Sequence, residues 1–375
     1  MIKRSIMMIA VCAVILFVTN GLMAQTQLYD PNEPGSVLVF PKVVRGTVAA
    51  GVPATEIEIS AHCPTVELDG TGFCPDAGST VRIRAHWVCP GQFSTQICKE
   101  VDFNFQTTVE GTVSFTPEGS PVGTNFSTVR VPPSPCPEGY LIAWVTDTSG
   151  RPIKFDSLVG DAVVRWNNHA AGAYEAVAIQ AVAALPNKAV IVPTATGALP
   201  FNGTTGYAAP TGTVMATIKY DTDAGTPPAA DAPSTTSLTL LTLDTLSNRP
   251  NFSVFTDLNF YDANEFLVSE STNYTCWEEI PVSSIDPGLV RENMTRKGFF
   301  YSVDANKIPF FGINDVAGPV TQLGLIDTVE CPGNASGTCT PLTAPVTASN
   351  NPSIVNHYMY RTYDDSVPVP TAFVP

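Results

Sequence analysis

This sequence predicts an all-β protein: two β-sandwich-like units with long Pro/Gly/Thr-rich loops and room for one short helix. Three observations lead there. Charged residues are only 14% of the 375 residues, against about 25% in an average soluble chain, while 33 Pro and 27 Gly are spread throughout. Short runs rich in Val, Ile, Thr and aromatics recur at roughly 8–12 residue spacing between turn residues, the pattern of sandwiches and barrels. Hydrophobic residues, at 44%, are ample for a core, and the length allows about two domains.

The elements follow in chain order. Lys3 and Arg4 precede an apolar run from Ile6 to Val18, and Leu22-Met23-Ala24 ends on a small residue before Gln25. This order predicts a signal peptide over 1–24, its apolar core too short for a membrane span. No second apolar segment of spanning length follows. The expectation is a secreted or extracytoplasmic protein, in the periplasm or at the cell surface, with no membrane span in the mature chain. An N-terminal disulfide-containing β domain is expected over 25–185. Val37–Val44 is rich in β-branched residues, and Thr55–Ser60 alternates with period two. In Thr80–Val88, Val81, Ile83, Ala85 and Trp87 point one way and Arg82, Arg84 and His86 the other. Val101, Phe103 and Phe105 share a face of the next strand, and Gly111–Thr116 and Phe126–Val131 continue the series. Tyr140–Thr146 turns through Asp147-Thr148-Ser149-Gly150 into Arg151–Phe155, a predicted hairpin, and Asp161–Trp166 is a further strand. Ala170–Leu185 reads as a short helix or turn ahead of a strand: its alanines favour helix while Val177, Ile179 and Ala181 alternate.

Residues 186–212, rich in Pro, Gly, Thr and Ala, are expected to be a linker or long loop, and 213–375 a C-terminal β domain. Its strands are Thr213–Tyr220, Thr236–Leu243, a hairpin of Phe252–Tyr261 and Glu265–Ser271, then Tyr274–Ile280, Gly298–Val303, Val320–Val329 and His357–Tyr363. A closed outer-membrane barrel fits the alternation but not the cysteines or the dispersed prolines.

Of nine cysteines, Cys12 lies in the leader and eight remain, an even number that reads as disulfides in an exported chain. Proximity suggests Cys63–Cys74, Cys89–Cys98 and Cys331–Cys339, leaving Cys136–Cys276 to tie the halves together. A four-thiolate zinc site from Cys63, Cys74, Cys89 and Cys98 is the rival, without the usual knuckle spacing.

The net charge of −15 and the absence of a basic stripe argue against nucleic acid as a partner. No G-x-S-x-G elbow, H-E-x-x-H or P-loop occurs. His62, His86, His169 and His357 are the available imidazoles, and His86 is expected at an outward polar position. Asp156, Asp161, Glu278 and Glu279 are the candidate carboxylates for glycoside hydrolysis; adjacent Glu278 and Glu279 face opposite sides of a strand. Asp221-x-Asp223-x-Gly225 is a partial calcium loop, and Asp262-x-Asn264 and Asp304-x-Asn306 are better read as Asx turns. No cofactor is therefore expected, with calcium the one ion left open. Trp87, Trp144, Trp166 and Trp277 are the candidate ligand-face aromatics.

Several segments together carry a resemblance: Phe40-Pro41-Lys42-Val43-Val44, Val81 to Gly91, Cys136 to Val145, Arg151 to Asp156, Thr256 to Asp262, and Cys276-Trp277. The set resembles a group of uncharacterised secreted bacterial β-rich proteins with no assigned activity, so it implies no catalytic, cofactor or metal residue. The leading expectation is an exported non-catalytic protein with a structural, surface or binding role, its partner a glycan or another surface protein. A carbohydrate-binding module or adhesin is the alternative, and a secreted glycan or ester hydrolase the second.

Overall fold

A computed structural model describes residues 33–46, 54–62, 80–90, 98–119, 127–165, 171–182, 190–192, 199–201, 203–208, 214–219, 234–243, 252–262, 267–281, 284, 297–309, 322–330, 353–359 and 361–362. The regular elements are β-strands, and the fold is all-β.

Two five-stranded sheets make the N-terminal unit. The first contains β1 (Val37–Val44), β3 (Thr80–Val88), β4 (Glu100–Thr108), β7 (Glu138–Thr146) and β11 (Val177–Ile179), in the order β11-β1-β7-β3-β4. The second contains β2 (Ala54–Ala61), β5 (Thr112–Phe115), β6 (Ser127–Thr128), β9 (Leu158–Arg165) and β10 (Ala171–Glu175), in the order β10-β9-β2-β5-β6. All pairings are antiparallel except β5 with β6. Period-two alternation drives the packing. Leu38, Phe40, Ile83, Ala85, Trp87, Leu141 and Ala143 of the first sheet meet Ile57, Ile59, Val113, Phe115, Ala162 and Val164 of the second in one core. Trp87 stacks among Phe103 and Phe115 there.

Within the first sheet, β1 and β7 are buried on both sides. Val37 and Val39 of β1 and Tyr140, Ile142 and Trp144 of β7 face away from that core into a second cluster, with Leu241, Leu243, Cys276 and Trp277 of the C-terminal unit. Burial on both faces explains why β1 and β7 read as nearly unbroken apolar runs rather than alternating ones.

The C-terminal unit has two further sheets. One runs β16 (Leu267–Tyr274), β15 (Phe252–Asp262), β18 (Lys297–Pro309), β13 (Val214–Lys219), β21 (Arg361–Thr362); the other runs β17 (Trp277–Pro281), β14 (Ser234–Thr242), β19 (Gln322–Glu330), β20 (Ser353–Met359). Leu238, Leu240, Val254, Leu258, Phe260, Tyr274 and Ile280 of these two sheets are buried in a cluster continuous with the N-terminal core. The expected β15–β16 hairpin is present, from Val254↔Tyr274 to Tyr261↔Leu267.

Three expectations need correction. Within Ala170–Leu185 the described residues form strands β10 and β11, not a helix. The open edges of β9 and β1 each offer a ladder, and pairing outweighs the helix preference of alanine. Asp304-x-Asn306 lies inside β18, not in a turn, with Asn306 opposite Phe255. The return strand after Asp147–Gly150 touches β7 only at Thr146↔Pro152. Pro152 has no N–H to extend that ladder, and β8 (Ile153–Lys154) pairs instead with β12 (Val190–Ile191). Within 186–212, β12 is thus part of a ribbon, and Leu199, Tyr207 and Ala208 are packed in the second cluster.

A local irregularity links the two units. The β1–β7 register shifts between Phe40 and Val43, where Pro41 cannot donate to the ladder. The shift frees groups to face the other unit. Trp277 Nε1 donates to the Pro41 carbonyl at 2.6 Å, and the buried Lys42 Nζ reaches Glu279 Oε1 at 2.6 Å. Among the described residues no helix is long and apolar enough to cross a membrane.

Candidate functional site

The polar stripe of β3 and the polar stripe of β4 meet on the outer face of the first sheet. With Ile83, Ala85, Phe103 and Phe105 turned into the core, the alternate residues Arg84, His86, Glu100 and Asp102 share the opposite face. The antiparallel register sets His86 directly across from Asp102 and Val88 across from Glu100. His86 Nδ1 lies 3.2 Å from Glu100 Oε2 and its Nε2 lies 3.3 Å from Asp102 Oδ1. Arg84 Nη2 donates to Asp102 Oδ2 at 2.6 Å.

Trp144, paired with Arg84 across β3–β7, closes one side. Its ring centroid is 4.7 Å from the imidazole, and the Arg84 guanidinium carbon is 5.8 Å from the Trp144 ring. His86 is consequently only 9% exposed although it lies on the outer face. Neither His86 Nε2 nor Trp144 Nε1 has a hydrogen-bond partner, which is costly for buried polar atoms. His86, Glu100 and Asp102 are the one group among the described residues in which three or more such ligand atoms lie within 4.8 Å of one another. The same face continues into a recess of about 490 Å³ lined by Arg82, Asn104, Gln106, Thr146, Asp147 and Thr148. Asp147 is held below the ordinary carboxylate range, first by the Arg151 backbone N–H.

Of the aromatics expected on a ligand face, Trp144 walls this site from a buried position, and Trp87 and Trp277 lie away from it. Trp87, Trp144 and Trp277 are buried, and Trp87 and Trp277 spend their indole N–H groups on the Pro132 and Pro41 carbonyls. Strand alternation marks a face but does not reveal that a second layer covers it. Trp166 lies outside the described residues.

The carboxylates are dispersed. Asp156 accepts hydrogen bonds from Ser36 Oγ and the Ala181 N–H, and burial pushes its carboxyl up. Asp161 stands on β9 opposite Glu58 and Glu175. Burial raises it, and burial followed by the charge of Asp161 raises Glu58. Glu278 and Glu279 take opposite sides of β17 as expected. Glu279 pairs with Lys42, while burial raises Glu278. His62 contacts Glu110 at 3.3 Å with both side chains half exposed. His357 is on β20; His169 and residues 221–225 lie outside the described residues.

The cysteine pairing is exchanged relative to expectation. Cys89 bonds to Cys136 and Cys98 to Cys276, each with Cα atoms 5.8 Å apart. Neither Cys89–Cys98 nor Cys136–Cys276 forms, and the four-thiolate zinc site loses Cys89 and Cys98. Cys63, Cys74, Cys331 and Cys339 lie outside the described residues. The missed signal is strand adjacency: β3 ends beside Cys89, β7 begins just after Cys136, and these strands are neighbours. Compared with known proteins, the sequence matches no protein family and no curated protein.

Proposed function

We propose that this chain is an exported, non-catalytic protein with a structural or binding role at the cell surface or in the periplasm. The observation that carries the reading is the Cys98–Cys276 bridge, which spans 178 residues and fastens one β unit to the other. Such a bond persists where thiols are kept oxidised. The leader pattern over 1–24 and the acidic surface agree with a soluble exported product. Trp87 and Trp277, buried with their indole N–H groups donated to backbone carbonyls, support a packing role over a sugar platform.

The test is expression of the full chain with its leader in a bacterial host, followed by fractionation and non-reducing mass spectrometry. The expected product is periplasmic or secreted, begins at Gln25 and contains the Cys98–Cys276 cross-linked peptide. A reduced, full-length product confined to the cytoplasm defeats the reading. A carbohydrate-binding role draws on one feature, the recess beside Arg82, Asn104 and Gln106, whose amides and guanidinium suit a polyhydroxylated ligand. A glycan array with the mature protein tests it.

A further inference from the structure

We propose that His86, Glu100 and Asp102 form a binding site for a divalent transition-metal ion, Zn²⁺ being the best match. The β3–β4 register does the assembly. His86 and Asp102 are directly opposed, and Glu100 lies two residues from Asp102 on the same face, so the three side chains rise together from one side of the ladder. Their ligand atoms already lie within 4.8 Å of one another. Tetrahedral zinc, with bonds of about 2.0–2.1 Å, holds neighbouring ligand atoms about 3.3 Å apart. The two imidazole–carboxylate contacts stand at 3.2 and 3.3 Å. They involve different ring nitrogens, and one ion takes only one of them, so one carboxylate must swing. The Glu100 and Asp102 side chains, 25% and 49% exposed, have the freedom to do so.

A second observation concerns the burial and bonding of the imidazole itself. His86 is nine-tenths buried, and its Nε2 faces Asp102 without a hydrogen bond to any group. A bound cation satisfies that nitrogen. Arg84 supplies the outer support by holding Asp102 Oδ2 and leaving Oδ1 toward the imidazole; such partners orient metal-ligating carboxylates. The guanidinium offsets one of the two carboxylate charges, so the site keeps a net negative charge that attracts a dication. An imidazole with two carboxylates selects a borderline first-row ion over Ca²⁺ or Mg²⁺, which favour oxygen cages. Three protein ligands leave a fourth position for water or an exogenous anion.

The experiment is calorimetric titration of the disulfide-bonded mature protein with Zn²⁺, after any free thiol is blocked with iodoacetamide, alongside visible absorption with Co²⁺. One equivalent should bind, with the Co²⁺ bands of a four-coordinate site. Glu100→Gln and Asp102→Asn, both at solvent-accessible positions, should each weaken Zn²⁺ at least tenfold, the order of loss seen even for outer-shell changes. His62→Gln, in the separate exposed pair with Glu110, should leave affinity unchanged. Near-UV circular dichroism checks that each variant keeps its packing. Absence of saturable Zn²⁺ binding in the wild type overturns the proposal. So does unchanged affinity in both carboxylate variants, or Ca²⁺ displacing Zn²⁺ at equal concentration.

Discussion

Asp156 shows how one side chain acquires its character from residues far away in sequence. Burial drives its carboxyl above the ordinary value, and the Ser36 hydroxyl and Ala181 N–H pull only partly against it. The same group, after burial, raises the nearby Tyr207 hydroxyl. With the folded-state value above the unfolded one, the folded chain keeps this proton at a pH where the unfolded chain has lost it. The contribution to stability is therefore fully present below the ordinary Asp range and is lost as pH rises through the raised value. Asp156→Asn keeps an oxygen for both donors and removes the charge. It should unfold at higher temperature than wild type at pH 7, with the gap closing as the pH falls below the ordinary Asp range. A gap of constant size at every pH, or none at pH 7, contradicts this account. In the sequence Asp156 is simply a carboxylate available for chemistry; its burial depends on Ser36 and Ala181, which no local pattern places beside it. His86 is a similar case. The alternation of β3 gives its face, and that of β4 gives the face of Glu100 and Asp102. The sequence from 89 to 99 carries no Asn-Gly or Asp-Gly pair to announce a two-residue turn, so the register between the two strands, and the meeting of these side chains, is not legible beforehand.

Strand boundaries were the most readable elements. Val37–Val44 and Thr80–Val88 match β1 and β3 end to end, because β-branched density and period-two alternation are local properties. What each strand pairs with is not local, which is why β8 was misassigned and the cysteine partners were exchanged. Gly139 shows what strand pairing demands. It sits at the start of β7, where a Cβ would lie 2.2 Å from the Val88 carbonyl oxygen of β3. Gly139→Ala forces that carbonyl or the whole strand to move, beside the Cys89–Cys136 bridge. The expected loss is about 1–3 kcal/mol in urea denaturation, the usual range for overpacking a tight site. Gly150, with φ of 78° and open space where a Cβ would stand, makes a useful contrast. Alanine there should cost about 1–2 kcal/mol from backbone conformation alone, without disturbing the β3–β7 ladder. Unchanged stability of Gly139→Ala means the two strands do not approach as described.

At the scale of the whole molecule, three kinds of contact cross between the two units. The second apolar cluster joins β1 and β7 to Leu241, Leu243 and Trp277. Polar links run from Lys42 to Glu279, from Trp277 to the Pro41 carbonyl, and from Tyr140 OH to the Thr242 carbonyl. Cys98–Cys276 is the covalent one; Cys276 has a φ of 66°, an unusual conformation for a residue other than glycine. Closing a loop this long removes unfolded-chain entropy equivalent to about 5 kcal/mol, the upper end of what such bonds deliver. Replacing Cys98 and Cys276 together with Ala should therefore lower stability by about 2–5 kcal/mol. The apolar cluster remains in that variant, so the units should stay docked and unfold in one cooperative transition, displaced to lower denaturant. Two separate transitions in the double variant would show that the covalent link alone unites them. An unshifted single transition would show instead that the packed interface carries the union without it. Intrinsic tryptophan fluorescence reads the outcome directly, because Trp144 and Trp277 lie in the interface while Trp87 reports the N-terminal core.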